Sequence, residues 1–312
     1  MRVCRMSSSR LRAHTAVLRP RLGYAGSHTV RGYAQTSRGQ VHYRHEGSHG
    51  PAIVFFHEAP LSSAIYTPAL PLLGRSFRAW AFDTPGHGSS DPPVRPLSIE
   101  EYGATMLEAI DDLGIDRFVL AGCHTGVDIG LEVARQAGAE RVTHAVLTGV
   151  PLLKPEEWEG WLEGVLGGGR DGEAPESWKQ VFAPNIELTA DGAHMRWAWD
   201  RYGRIWAAGS PVELIHMAVM QLLLAGPRYN WMYRAAFAYD PEPALRGLTC
   251  PTLLLNAEKD PLAFKDVAVV RLLQDGRRVH LEGLTGQLPW RVPERFTEEI
   301  QRFVGAGEVA AV

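Results

Sequence analysis

A five-residue turn carries the residue with the clearest chemical potential in this sequence. Residues 122–126 read Gly-Cys-His-Thr-Gly and directly follow an apolar run at 117–121. Glycines at both ends allow a tight bend between a strand and a helix, and such a bend lifts its central residue off the backbone. That residue is His124, whose imidazole titrates near pH ~6.5 and moves protons without a helper, unlike a serine hydroxyl. The turn therefore predicts acid–base chemistry at His124.

Polar residues follow four other apolar runs. The segments read Phe-His-Glu-Ala-Pro at 56–60, Ala-Phe-Asp-Thr-Pro-Gly-His-Gly-Ser-Ser-Asp at 81–91, Asn-Ala-Glu-Lys-Asp at 256–260 and Gly-Gln-Leu-Pro at 286–289. With the turn at 122–126, they resemble the motifs of the α/β-hydrolase superfamily, and most of all its epoxide-hydrolase and haloalkane-dehalogenase branch. The resemblance extends over about residues 30–304 and implies that fold.

The resemblance also implies a role for each position. His124 stands where the family has its Ser, Cys or Asp nucleophile, Asp260 matches the triad acid, and Gln287 occupies the place of the triad histidine. The backbone N–H groups of Ala59 and Thr125 match the oxyanion donors. Because neither the nucleophile nor the base is retained, Ser-His-Asp hydrolysis does not carry over to this chain.

The unusual residues suggest a different arrangement. A histidine reaches ~2–3 Å farther than a serine, so we expect the His124 ring to fill part of the space of the missing triad imidazole. Gln287 and, as a further candidate, Asp260 would then set its tautomer. Glu58, where the family has Gly, is either a second proton-transfer carboxylate or a solvated or Arg-paired link. The alternative for His124 is a hydrogen-bonded histidine that plugs a dead site.

Other polar residues near these motifs have simpler interpretations. Cys123 precedes the elbow residue and is expected to pack in the core. Asp83 and His87 belong to a turn-rich loop with mainly structural meaning. Asp128 and Asp240 are candidates to face a pocket, although each alone is more often structural.

The elements that must position these residues alternate between strands and helices. Strands are expected at 41–45, 52–56, 77–82, 117–121, 144–148, 251–255 and 277–281, and helices at 99–113, 125–136, 263–273 and 293–304. This order predicts an α/β fold, with a mostly parallel central sheet flanked by helices. The core would comprise residues 30–150 and 246–306.

Residues 151–245 interrupt the alternation with helical patterns, which predicts a helical cap inserted after the sixth strand. This segment holds seven of the nine tryptophans. They either pack the cap onto the core or line a cavity between the layers. The substrate-binding candidates are Trp197, Trp199, Trp206, Trp231, Tyr229 and Tyr233.

Composition excludes several classes of partner and cofactor. The formal net charge of −3 over 312 residues gives no reason to expect nucleic acid or an anionic membrane as a partner. Three separated cysteines argue against a disulfide framework and fit a reducing, cytoplasmic setting. We find no phosphate-binding glycine loop, dinucleotide fingerprint or metal-ligand spacing, and expect no cofactor and no metal. Residues 1–29 are Arg-rich without acids, which favours a disordered extension.

Taken together, these features predict a cofactor-independent enzyme that acts by acid–base chemistry on a bulky apolar or aromatic small molecule. The preferred reaction is non-hydrolytic (cyclisation, elimination or carbon–carbon bond formation), as in natural-product biosynthesis. One alternative is hydrolysis of an ester, lactone or epoxide by water that His124 activates. Another is a non-catalytic protein that retains a ligand pocket. The chain is expected to be a monomer or homodimer.

Overall fold

The computed structural model describes residues 29–154, 157–158, 188–206 and 210–309, with side chains except at 201–206 and 306–309. Within this part of the chain, eight strands form one sheet in the order β1-β2-β4-β3-β5-β6-β7-β8. The strands are β1 (Val30–Thr36), β2 (Gly39–Glu46), β3 (Ala52–Phe56), β4 (Arg78–Phe82), β5 (Phe118–Cys123), β6 (Val142–Thr148), β7 (Thr252–Ala257) and β8 (Gly276–Leu281). Antiparallel pairing is confined to β1 with β2 and β2 with β4, and the other neighbours are parallel. The expected mostly parallel sheet is confirmed.

The described helices are α1 (Leu70–Leu73), α2 (Ile99–Asp112), α3 (Thr125–Ala137), α4 (Ala193–Trp206), α5 (Val212–Ala225), α6 (Trp231–Phe237), α7 (Glu242–Gly247), α8 (Asp266–Leu272), α9 (Leu288–Arg291) and α10 (Pro293–Val309). A helix was expected over 263–273, but a 3₁₀ turn at Ala263–Lys265 precedes α8 there. Within the described residues, the helices are too short or too polar to cross a membrane.

Both faces of the sheet are covered, which explains the continuous apolar run of β3. Val54 and Phe56 join the core cluster beneath α2 and α3, whereas Ile53 and Phe55 join the cluster that includes α1, α5 and α10. Successive side chains on a strand point to opposite faces, so a strand covered on both sides must be apolar at every position. All five residues of β3 are buried accordingly.

The described residues between β6 and β7 include the helices α4 to α7 and no strand. Leu214 and Ala218 of α5 belong to the second core cluster. Trp161 and Trp178 lie outside the described residues.

The parallel strands deliver the functional candidates to one edge of the sheet. Glu58 follows β3, His124 follows β5, Gly149 follows β6 and Asp260 follows β7. Because these strands are parallel and lie side by side, their carboxyl ends meet along a single edge, where α/β folds bind their ligands.

Candidate active site

The turn after β5 has the backbone of a nucleophile elbow. His124 has φ 47° and ψ −117°, a conformation that is strained for a residue with a side chain. A Cβ on Gly126 would lie 2.3 Å from the carbonyl oxygen of Phe56, and one on Gly122 would lie 2.6 Å from the Gly126 carbonyl oxygen. Both glycines are therefore required by close packing, as the sequence pattern indicated.

The His124 ring forms a hydrogen bond with the predicted acid. Its Nε2 lies 2.9 Å from Oδ2 of Asp260. The His124 side chain is 24% exposed, so the ring is accessible to solvent. Because an ionised carboxylate only accepts, Nε2 carries the hydrogen, and the lone pair of the neutral ring is at Nδ1. Nδ1 faces Oε2 of Glu58 at 3.6 Å. His124 therefore contacts the residue that the sequence analysis predicted to be the acid.

Charge at this point favours the protonated ring. Burial by itself would lower the pKa of His124, but the charge and hydrogen bond of Asp260, together with the charges of Glu58 and Asp128, raise that pKa to about 9. Most molecules therefore carry an imidazolium here at neutral pH.

Glu58 connects two residues whose placement differs from expectation. The Cys123 thiol donates to Oε2 of Glu58 at 2.9 Å, and the Gln287 amide donates to Oε1 at 3.1 Å. Cys123 therefore faces the site instead of only packing in the core. Burial, with the adjacent Glu58 carboxylate, raises the pKa of that thiol well above its usual value. Gln287 was expected to orient His124 directly, but the structure bonds it to Glu58.

The oxyanion segment also departs from the expected geometry. The Ala59 N–H donates to Oγ1 of Thr125 at 2.8 Å, so it is already occupied. The Thr125 N–H opens α3, where helix geometry leaves it without an intrahelical acceptor. The Thr125 hydroxyl oxygen accepts this hydrogen bond, so its own hydrogen remains free to be donated to another acceptor. The Thr125 N–H and hydroxyl are therefore two candidate donors to a substrate oxygen.

Asp128 is a buried acid one helical turn beyond the elbow. It is 1% exposed, and neither of its carboxylate oxygens has a hydrogen-bond partner within the described part of the chain. Burial raises the pKa of Asp128 well above its usual value, against the opposing charge of His124. Asp240, by contrast, is exposed and accepts a hydrogen bond from the Glu242 backbone at the start of α7, which is a structural role.

The aromatic candidates are distributed over several places. The Tyr233 hydroxyl donates to the Ala59 carbonyl oxygen at 2.6 Å, beside the site. Tyr229 is buried and packs edge-on against Trp197, with ring centroids 6.2 Å apart. Trp199 is 42% exposed. Trp231 lines a separate surface cleft that also includes Arg95 and Arg234, and the side chain of Trp206 lies outside the described part.

The loop at 83–91 serves the fold. Asp83 accepts hydrogen bonds from His42, from the Ser63 backbone and from the Ser89 backbone, at 2.7–2.8 Å. A Cβ on Gly88 would lie 2.1 Å from Oδ2 of Asp83. This agrees with the mainly structural meaning expected of the loop.

Gly149 is a site residue that the sequence analysis missed. It has φ +62°, and a Cβ there would lie 2.1 Å from Cδ2 and 2.3 Å from Nε2 of His124. Its backbone N–H donates to Oδ1 of Asn256 at 2.5 Å. The available signal was its position directly after a buried strand at the carboxyl edge of the sheet.

The chain belongs to the α/β-hydrolase fold family, whose model matches residues 51–272. The inferred resemblance and the fold class are thereby confirmed. The replacement of the family's nucleophile and triad histidine by His124 and Gln287 stays a prediction.

Particular relatives have different chemistries. A non-heme haloperoxidase of Rhodococcus erythropolis is 36% identical over 267 residues, 79% of this chain and 89% of that protein. Haloalkane dehalogenase 2 of Mycobacterium bovis is 36% identical over 113 residues. This match covers 36% of the present chain, and the chain spans only 39% of the length of that relative. Among solved structures, an esterase of Thermogutta terrifontis superposes with a TM-score of 0.68 at 19% identity, covering 89% of this chain and 98% of that one. The chain thus belongs to a fold family whose members include hydrolases.

Proposed function

We propose that the protein is a hydrolase of an ester or lactone, in which His124 activates water directly and no covalent intermediate forms. The observation that carries this proposal is the 2.9 Å contact between Nε2 of His124 and Oδ2 of Asp260. This contact forms an imidazole–carboxylate pair like the base and acid of the family, although the base here is the elbow residue. Hydrolysis replaces the non-hydrolytic reaction preferred from the sequence, because the relatives give that reaction no support and include hydrolases.

In the proposed reaction, water lies at the Nδ1 side of the His124 ring. Nδ1 takes a proton from the water as the water oxygen attacks the carbonyl carbon of the substrate. Throughout this step the Nε2–H group remains hydrogen-bonded to the Asp260 carboxylate. The Thr125 donors receive the developing oxyanion. When the intermediate collapses, the imidazolium returns the proton to the departing alkoxide, so ester and water yield acid and alcohol. Because the pKa of His124 is raised, the neutral ring is a scarcer but stronger base at pH 7.

The helices between β6 and β7 are proposed to act as the cap over this site. Tyr233 of α6 supports this role, because its hydroxyl is bonded to the segment that follows β3. A bulky apolar or aromatic substituent on the substrate is proposed to contact this cap, whose aromatic residues include Tyr229 and Trp197.

The test is turnover of a panel of aryl esters and lactones in water enriched in heavy oxygen. We expect one labelled oxygen in the carboxylate product and a loss of about 100-fold or more in His124→Ala and Asp260→Asn. His49→Ala is the matched control, because His49 is exposed and bonds only to a backbone oxygen among its described contacts. Full turnover in His124→Ala overturns the proposal. Unlabelled product indicates non-hydrolytic chemistry, and binding without conversion indicates a ligand-binding protein.

A further inference from the structure

Three different metal-binding atoms converge at the elbow. Sγ of Cys123 lies 2.9 Å from Oε2 of Glu58, and Nδ1 of His124 lies 3.6 Å from the same oxygen. All three atoms lie within 4.8 Å of one another. Around a tetrahedral zinc ion, with bonds of about 2.3 Å to sulfur and about 2.0–2.2 Å to nitrogen or oxygen, ligand atoms are about 3.3–3.6 Å apart. The Nδ1–Oε2 distance already lies in this range, and the other two pairs would reach it by changes of no more than about 1.3 Å.

In His124 and Glu58, the side-chain atom that would not bind the ion is fixed by a hydrogen bond, as is usual for metal ligands. Nε2 of His124 bonds to the Asp260 carboxylate, which leaves Nδ1 for the ion. Oε1 of Glu58 accepts from the Gln287 amide, which leaves Oε2 for the ion. Carboxylate-bound imidazoles and hydrogen-bonded carboxylates are the usual surroundings of metal ligands, because they fix the tautomer and the orientation.

The strained elbow is what makes the set compact. Neighbouring residues on a strand point to opposite faces, so the side chains of Cys123 and His124 would ordinarily diverge. The φ of 47° at His124 ends the strand and brings both side chains to Glu58. No spacing pattern in the sequence would reveal this set, since Glu58 is 65 residues from Cys123.

We propose that Glu58, Cys123 and His124 bind a divalent first-row transition metal ion of the zinc type, with a fourth position open. A thiolate and an imidazole select such ions over Mg²⁺ and Ca²⁺, which prefer oxygen ligands. The ion displaces the protons from the Cys123 thiol and from Nδ1 of the His124 imidazolium and takes both lone pairs. While the ion is bound, Nδ1 cannot serve as the base of the proposed hydrolysis, so metal binding is a property separate from that reaction. The sequence-based expectation of no metal is replaced by this proposal.

The test is titration of the full-length, chelator-treated protein with Co²⁺ in the absence of substrate. A thiolate–cobalt site gives a charge-transfer band in the near ultraviolet and strong visible bands. We expect these bands to saturate at one ion per chain, and Zn²⁺ to abolish them by competition. Binding is measured without turnover, so its failure and the failure of the proposed hydrolysis are distinguishable.

Variants locate the site. The double variant Cys4→Ser/Cys250→Ser keeps Cys123 as its one cysteine and must retain the full spectrum, whereas Cys123→Ser must lose the charge-transfer band. Gln287→Ala is expected to weaken cobalt binding by about 10–100-fold, because it removes the support of Glu58. Absence of the band in the double variant overturns the proposal without depending on the folding of any site variant. Persistence of the band in Cys123→Ser also overturns it.

Discussion

Replacing Gly149 by alanine tests whether His124 must keep its position against Asp260. The new Cβ would lie 2.1 Å from Cδ2 and 2.3 Å from Nε2 of the His124 ring. Non-bonded carbon atoms prefer separations of about 3.5–4.0 Å, so the ring must retreat by about 1.4 Å or more. Such a displacement is large enough to disrupt the 2.9 Å hydrogen bond to Asp260.

Two separate effects of Gly149→Ala can be estimated. A misplacement of about 1 Å in a catalytic group can lower turnover by about 100-fold, so we expect a loss of at least that size. Alanine in the left-handed region also lowers the free energy of unfolding by about 1–2 kcal/mol. The activity of the proposed hydrolase would therefore fall far more than its stability.

Gly114→Ala is the matched control. Gly114 has φ +66°, close to the +62° of Gly149, but a Cβ there would have no atom within 4 Å. Thermal unfolding should show a loss of a few degrees in Tm for Gly114→Ala, from backbone strain alone, and a larger loss for Gly149→Ala, because its Cβ also displaces the His124 ring. Turnover of the best ester or lactone from the panel should fall in Gly149→Ala alone. Equal turnover in the two variants would refute the requirement for the present ring position.

Two predictions concern stability. Burial would raise the pKa of Asp83, but its hydrogen bonds, with His42 foremost, hold that pKa at about 2. Since the folded-state pKa lies below the ordinary value of 3.8, ionised Asp83 stabilises the fold above pH ~4 by about 2 kcal/mol, and the stabilisation disappears as pH falls through about 2. Urea unfolding should show a deficit of about this size for Asp83→Asn at pH 7 that shrinks at pH 3, and a pH-independent deficit would contradict the assignment. Tyr233→Phe removes the 2.6 Å bond to Ala59 and should lower the free energy of unfolding by about 1 kcal/mol, whereas Tyr33→Phe, at an exposed position, should not.

Much of the fold could be predicted because burial of a strand or helix face requires apolar residues in a pattern that is visible along the sequence. The run 52–56 is apolar at every position, and β3 occupies it with both faces covered. The glycines of the elbow likewise signal a bend that only they permit, so the place of His124 was predictable. The strand Val30–Thr36 was missed, since four of its seven residues are exposed and its apolar positions are few.

The contacts that define the site's chemistry could not be predicted in the same way. Gln287 and Glu58 are 229 residues apart, and no periodicity indicates that their side chains bond to each other instead of to His124. The Ala59 N–H donates to the hydroxyl of Thr125, which is 66 residues away in the sequence. This bond depends on the side-chain rotamer of Thr125, which no local sequence pattern specifies.

The sequence alone determined the fold family and the glycine-bounded elbow, because glycine placement and apolar runs act through neighbours along the chain. The replacement of the usual nucleophile and base by His124 and Gln287 is a prediction from the same sequence. Tertiary structure decided that His124 bonds to Asp260, that Cys123 turns toward Glu58 and that Gly149 lies against the imidazole. These choices arise where the ends of parallel strands converge. There, several polar groups compete for few partners, and the outcome depends on distances of tenths of an ångström.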